Sequence, residues 1–244
     1  MLHTLRAGRS DIEPIVCVHP VTGAITPYRA LAAALAWDGP VVAIAAPAGG
    51  GEVELADLAA RYLWLLDPAV PLRVLGWGLG GVIAAEMAAG APSVRFVGLI
   101  DSRAPTPDMR ARPTDRATLA RAFVQHTVLA RELALVIPAG PDAAAVLAAL
   151  REAGADDGAD ETAIEERLQT FAALVRAFYR HTPRPVPIAI DLYESTESHP
   201  SHPKPPTLGW DGLAPAVVHH PVPGNHFTVL ARLGDGLRFD HSSG

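Results

Sequence analysis

Six residues, Gly76-Trp77-Gly78-Leu79-Gly80-Gly81, join an apolar run ending at Leu75 to a stretch in which Val82, Ile83 and Met87 recur at helical spacing. A chain that passes from a buried strand into a buried helix through so much glycine turns sharply, and glycine permits the close backbone approach and positive φ that such a turn requires. The same alternation fills the first hundred residues. Pro14 to Val18, Val41 to Ala45, Leu72 to Leu75 and Val94 to Ile100 read as strands. Between them, Tyr28, Leu31 and Leu35 share one helical face, and Leu55, Leu58, Ala59, Tyr62, Leu65 and Leu66 share another. Thr26 is a suitable N-cap for the first helix, with Pro27 at its first position. Continuous apolar strands separated by helices predict an α/β fold with a mostly parallel sheet covered on both faces.

From about Ala104 to Arg184 the strands stop. The best pattern there is the stripe Ile164, Leu168, Phe171, Leu174, Val175 and Phe178, and Gly154 to Asp160 is a polar break. Strands resume at Val186 to Leu192 and Ala216 to His219. A helical insertion over about 105–183 between two sheet strands reads, by pattern alone, equally as a lid over a site or as a plain helical subdomain, and the lid is the assignment. As a lid, its apolar stripe predicts a largely apolar cavity beneath it. The 244 residues, 49% apolar and 19% charged, suffice for one domain with a full core, assigned to 1–239. Residues 240–244 are set aside as a short polar tail.

The net charge of −6 and the scatter of the arginines argue against nucleic acid as a partner. A single cysteine, Cys17, forbids an internal disulfide and fits a cytoplasmic protein. Met1 to Ser10 lacks the apolar core of a signal peptide, and the glycines and Glu86 within Val74 to Pro92 argue against a membrane span.

Three positions carry the chemistry. The strand–turn–helix context of Gly76 to Gly80 is that of a nucleophile elbow, G-x-S-x-G, with Gly78 at the centre where serine is expected. Asp101 ends the next strand, and open α/β sheets gather functional groups at that edge. His226 follows the last strand on a loop, which completes the order nucleophile position, acid, base. A dinucleotide-binding turn is the rival reading. It is disfavoured because the spacing is not G-x-G-x-x-G and the turn follows a late strand.

Val16-Cys17-Val18-His19-Pro20-Val21-Thr22-Gly23 resembles the strand and oxyanion loop of the type I thioesterase domains that release products from polyketide synthases and nonribosomal peptide synthetases. Leu75 to Gly81 is similar to their Gly-Trp-Ser-x-Gly-Gly elbow, Leu99 to Ser102 to the strand end bearing their aspartate, and Thr207 to Trp210 to their Leu-Gly-Trp element. Val222 to Thr228 resembles their Pro-Gly-Asp-His-Phe box, with Asn225 in place of Asp. The resemblance implies an α/β-hydrolase fold and a catalytic Asp101 and His226, with the backbone N–H groups of Val21 and Leu79 as the oxyanion hole. It also implies an acyl substrate thioesterified to the phosphopantetheine of a carrier protein, which is the expected partner. No metal, nucleotide or flavin is implied.

Gly78 departs from that pattern and removes covalent acyl-enzyme chemistry, which needs a hydroxyl or thiol beside the base. Cys17, mid-strand in an apolar run, is expected to be inert, and Ser102 is a poor substitute even if it points into the site. Three accounts stay open. His226 held by Asp101 acts as a general base for hydrolysis or, preferred, intramolecular cyclisation. Alternatively the domain is a non-catalytic relic that binds carrier protein or product, or it is a serine enzyme disabled by a Ser-to-Gly replacement. His199, His202, His219 and His220 read as loop histidines rather than a metal site, and Asp156 to Glu166 as a solvated helix start. Trp77 and Trp210 read as core aromatics near the site.

Overall fold

The computed structural model describes residues 1–49, 51–197, 204–233 and 236–237. Seven strands form one sheet in the order β1-β3-β2-β4-β5-β6-β7: Leu2–Arg6, Ile15–Val18, Val41–Ile44, Leu72–Trp77, Val94–Ile100, Ile190–Ser195 and Val217–Val222 for β1 to β7. Only β1 is antiparallel, pairing with β3. Strands β2 to β7 are parallel. This is the expected α/β-hydrolase architecture.

Side-chain alternation explains why both faces are apolar. Val16, Val18, Val74, Val97 and Leu99 point to one side, where α2 (Leu55–Leu63) and α3 (Leu79–Gly90) cover them. Ile15, Cys17, Leu75, Trp77 and Ile100 point to the other, under α1 (Tyr28–Ala34) and α7 (Val229–Leu233). Period-two strands buried on both faces lose the hydrophobic–polar alternation of half-exposed ones, so they appear as unbroken apolar runs. Each fully buried Val, Leu or Ile contributes about 1.5–3 kcal/mol.

Residues 104–184 contain no strand. They form α4 (Arg116–Leu129), α5 (Ala143–Glu152) and α6 (Glu161–Arg180), with a short 3-10 turn at Pro107–Ala111 before them. Asp115, Asp142 and Asp160 cap the three helices by accepting from Thr118, Ala145 and Ala163 N–H. The stripe Ile164, Leu168, Phe171 and Val175 closes a hydrophobic cluster of the insertion's own against Leu119, Phe123, Val146 and Leu150, while Leu174 and Ala177 of the same helix join the main core. The acidic stretch is occupied by capping at Asp160 and by ion pairs of Asp157 with Arg167 (2.8 Å) and Glu165 with Arg116 (2.5 Å).

Several sequence expectations shift. Strand β1 lies within Met1 to Ser10, where the sequence shows no strand pattern. Its side chains are mostly exposed or half-buried, so it carries no apolar run to find. Thr26 is not the N-cap of α1: Pro27 holds that position, without a side-chain cap bond, and the Thr26 carbonyl instead closes a turn to Arg29 N–H at 3.1 Å. Leu65 and Leu66 lie past the end of α2, and Leu65 is exposed. The sixth strand begins at Ile190 rather than Val186, although Val186 is buried, because prolines 185 and 187 deny it ladder donors. The readings of residues 198–203, including His199 and His202, and of 240–244 lie outside the described residues.

Candidate active site

Strand β4 enters the site through the glycine turn. An added Cβ on Gly76 would lie 2.1 Å from the Gly80 carbonyl, and one on Gly80 would lie 2.4 Å from Val18 O. The elbow therefore packs backbone against backbone, which only glycine at those two positions allows. Gly78 sits at its apex with φ 56° and ψ −120°, immediately before α3. Apart from its chain neighbours, the only atoms of the described residues within 4 Å of an ideal Cβ there are His226 Cε1 at 3.2 Å and Nε2 at 3.4 Å.

His226 is held from three directions. Its Nδ1 lies 2.8 Å from Asp101 Oδ2. A carboxylate only accepts, so this bond puts the proton on Nδ1 and turns the Nε2 lone pair toward Gly78. Trp77 Nε1 donates to the His226 carbonyl at 2.9 Å, and the indole ring lies 5.3 Å from the imidazole. Asn225 Oδ1 accepts from Phe227 N–H at 2.9 Å and from Thr228 N–H at 3.3 Å, folding the loop on which the ring sits. Asparagine makes this turn as aspartate would.

Asp101 ends β5 with φ 43°, a conformation uncommon for a side-chain-bearing residue. Its carboxylate is buried and saturated: Oδ1 accepts from Ser195 N (2.9 Å), Ser195 Oγ (2.8 Å) and Lys204 Nζ (2.9 Å). Burial works to raise its pKa, but the hydrogen bonds and charges of His226 and Lys204 outweigh burial and hold the carboxyl well below the usual carboxylate range.

Helix α3 points its N-terminus at the same spot. The N–H groups of Leu79, its first residue, and of Val21, in the turn closed by Gly23 N–H to Pro20 O at 2.9 Å, donate to no other group among the described residues. Behind that turn His19 is fully buried. Its Nδ1 bonds Pro20 O at 2.8 Å and its Nε2 bonds Tyr62 Oη at 2.6 Å, and burial pushes the ring down to about 4.

Neither alternative nucleophile reaches the site. Cys17 is buried in β2, where burial pushes its thiol up to about 12. Ser102 is buried, and its hydroxyl lies 3.2 Å from Gly76 O and 3.1 Å from Ile100 O, so it braces the elbow instead of facing the site. His219 bonds Glu194 at 2.8 Å and His220 bonds Asp191 at 2.7 Å, both across β6 and β7. Among the described residues no three metal-ligating side chains converge. Trp210 is fully buried and donates to Ser102 O at 2.7 Å.

Sequence reasoning missed three residues here. Ser195 and Lys204 bind the far oxygen of Asp101, and Lys204 is the chain's single lysine, a signal that was present. His126 projects from α4, its ring 6.0 Å from that of His226 and 5.2 Å from that of Phe227. Burial, with the His226 charge adding to it, pushes His126 down to about 3. Its spacing from Phe123 on one helical face was the available signal.

A cavity of about 590 Å³ lies between the insertion and the sheet. Trp77, Phe123, His126 and Phe227 are among its lining, and the rings of Trp77, His126 and Phe227 lie 5.3, 6.0 and 5.3 Å from that of His226. The largely apolar cavity that the stripe predicts is found only in part. Arg131 and Glu132 just past α4, Asp157 ahead of α6, and Glu166 and Arg167 on α6 also line it.

A thioesterase-domain family model matches residues 13–241. The chain belongs to that family. Among solved structures it is similar to the NocB thioesterase domain in covalent complex with a fluorophosphonate nocardicin G analogue (24% identity, TM-score 0.69, covering 96% of this chain and 95% of that one). It is also similar to the Vlm2 thioesterase domain (19%, TM-score 0.63, covering 99% and 93%). A holo four-domain nonribosomal peptide synthetase bound to AMP and glycine aligns at 25% identity and TM-score 0.85, over 96% of this thioesterase domain and 19% of the synthetase. The chain thus spans about a fifth of that relative's length. No protein with curated function matches the sequence. No helix among the described residues is long and apolar enough to cross a membrane.

Proposed function

We propose that this domain releases an acyl chain from the phosphopantetheine thioester of a carrier protein in polyketide or peptide biosynthesis, without an acyl-enzyme. The observation that carries the reading is the His226–Asp101 pair at 2.8 Å, with Nε2 facing the apex of the elbow at Gly78. Gly78 stands where the family's serine attacks. His226 Nε2 takes the proton of the attacking water, hydroxyl or amine, Asp101 stabilises the imidazolium that results, and Val21 and Leu79 N–H groups receive the oxyanion. The carbonyl carbon gains the new C–O or C–N bond as its C–S bond breaks, and the proton on His226 passes to the departing thiolate. No metal or organic cofactor takes part.

General base catalysis contributes about 10²–10⁴ in rate, which is modest for water. An intramolecular nucleophile held in the adjoining cavity has an effective molarity of up to about 10⁵–10⁸ M, so cyclisation outruns hydrolysis. A built cavity and a preserved acid–base pair favour this reading over a binding relic. A panel of carrier-bound and cysteamine thioesters, given to the protein and to His226→Ala, tests it. Turnover lost in the variant is the expected result. Equal release by both proteins refutes base catalysis and leaves a binding domain.

A further inference from the structure

Lys204 is the one lysine of a chain that otherwise uses arginine, and among the described residues its ammonium hydrogen-bonds Asp101 and Ser195, behind the acid–base pair. Its ammonium donates to Asp101 Oδ1 at 2.9 Å, Ser195 O at 2.5 Å and Ser195 Oγ at 2.7 Å, and lies 3.8 Å from Glu194 Oε1. Three donors on a compact tetrahedral head match three acceptors around one point, a geometry that a planar guanidinium cannot reproduce. We propose that Lys204 is a positioning residue for His226. It pins Asp101 through the oxygen turned away from the imidazole and, by partly neutralising the carboxylate, lowers the basicity of His226.

The electrostatics give the sign. A lone carboxylate against Nδ1–H stabilises the imidazolium and raises its pKa, and a cation on the same carboxylate opposes that pull. Among the described residues the other groups facing the pair are few. His126 approaches His226 from α4. Glu194 on β6 stands beyond Lys204 and is engaged by His219 of β7 at 2.8 Å. Ser195 Oγ, between lysine and aspartate, donates to Asp101 while accepting from Lys204, so its hydroxyl orientation is fixed by both.

The inference rests on His226 being the base, but its test reads titration and not turnover. The His226 ring is followed by NMR from pH 5 to 9 in the starting protein, Lys204→Met and Lys204→Arg, with its signals assigned from the spectrum of His226→Gln. Lys204→Met is expected to raise the His226 midpoint by about one pH unit or more. Lys204→Arg is expected to keep the charge and move the midpoint less, with weaker pinning. An unchanged midpoint in a folded Lys204→Met protein overturns the proposal, since a purely structural lysine lowers thermal stability without moving the titration. Should Lys204→Met fail to fold, acetylation of the native protein, confirmed at Lys204 by mass spectrometry, removes the same charge and carries the same two outcomes. A shifted midpoint in a protein inert to every thioester sinks the release reading and leaves the electrostatic coupling standing.

Discussion

Gly78 is where sequence and chemistry diverge, and the structure makes its replacement informative. Its φ of 56° and ψ of −120° disfavour any side chain, and a Cβ would press on His226 by a few tenths of an ångström. Gly78→Ser is therefore expected to cost about 1–3 kcal/mol in stability. It also places a hydroxyl beside Nε2, so a fluorophosphonate should label the variant at residue 78 and leave the starting protein unlabelled at that position, with hydrolysis rising in parallel. Mass spectrometry of the labelled peptide reads this directly, and an unlabelled, folded variant refutes the assignment of residue 78. That Gly78, Asp101 and His226 meet was legible from local motifs, because an elbow, a strand end and a loop box each leave a fixed spelling. The approach of Lys204 and His126 was not. A single lysine and a histidine three residues from Phe123 were signals without a location, because their importance comes from where distant segments meet.

His126 also sets a pH dependence. Its folded pKa of about 3 lies below the ordinary histidine value of about 6.5, so below that pH the unfolded chain binds a proton that the folded one refuses. Stability is accordingly lost as pH falls from about 6.5, by up to about 1.4 kcal/mol per unit. His19 acts in the same sense down to about 4. Asp101, with a depressed carboxyl, acts in the same direction in a lower window: its contribution is intact above about 4 and is lost as pH falls further. In urea titrations at pH 7 and pH 5, His126→Phe should lose less stability between the two than the parent, by about 1–2 kcal/mol. Identical differences would mean that the ring is solvated.

At the scale of elements, the insertion is tied to the core at a charged joint. Glu86 of α3 is 1% exposed and accepts from His181 Nε2 at 3.0 Å, Arg184 N at 3.0 Å and Arg184 Nε at 2.6 Å, where the chain leaves α6 for β6. Removing one partner of a buried ionic cluster costs about 3–5 kcal/mol because the others stay desolvated. Glu86→Ala should lose stability of that order in chemical denaturation, and a loss under about 1 kcal/mol, the range of an exposed ion pair, would show that the joint is solvated in solution. In sequence, Glu86 looked only like a charge interrupting an apolar helix. Helix α6 was readable because its burial imposes a period, and strands β2 to β5 because burial on both faces leaves unbroken apolar runs. Strand β1 was not, since a half-exposed strand with Arg6 reaching the carbonyls of Ala32 (2.9 Å) and Leu35 (2.7 Å) is held by backbone pairing and one arginine, without apolar spacing.

Across the whole molecule, the elbow and Asp101 follow the central strands β4 and β5, while His226 follows β7, one of the two edge strands in the sheet order. The base is therefore mounted on the part of the sheet with a neighbour on one side only. Stability in folded proteins is uneven, and peripheral units open at lower free energy than central ones. The His226–Asp101 bond acts as a gauge of that margin. As urea is raised, the downfield Nδ1 proton of His226 should vanish before the fluorescence of the fully buried Trp210 changes, and amides of β7 should exchange before those of β4. Coincident transitions would mean that the rim and the centre melt as one body. If the rim yields first, the domain has a reversible off state in which the sheet, the elbow and the cavity persist while the proton acceptor has swung away.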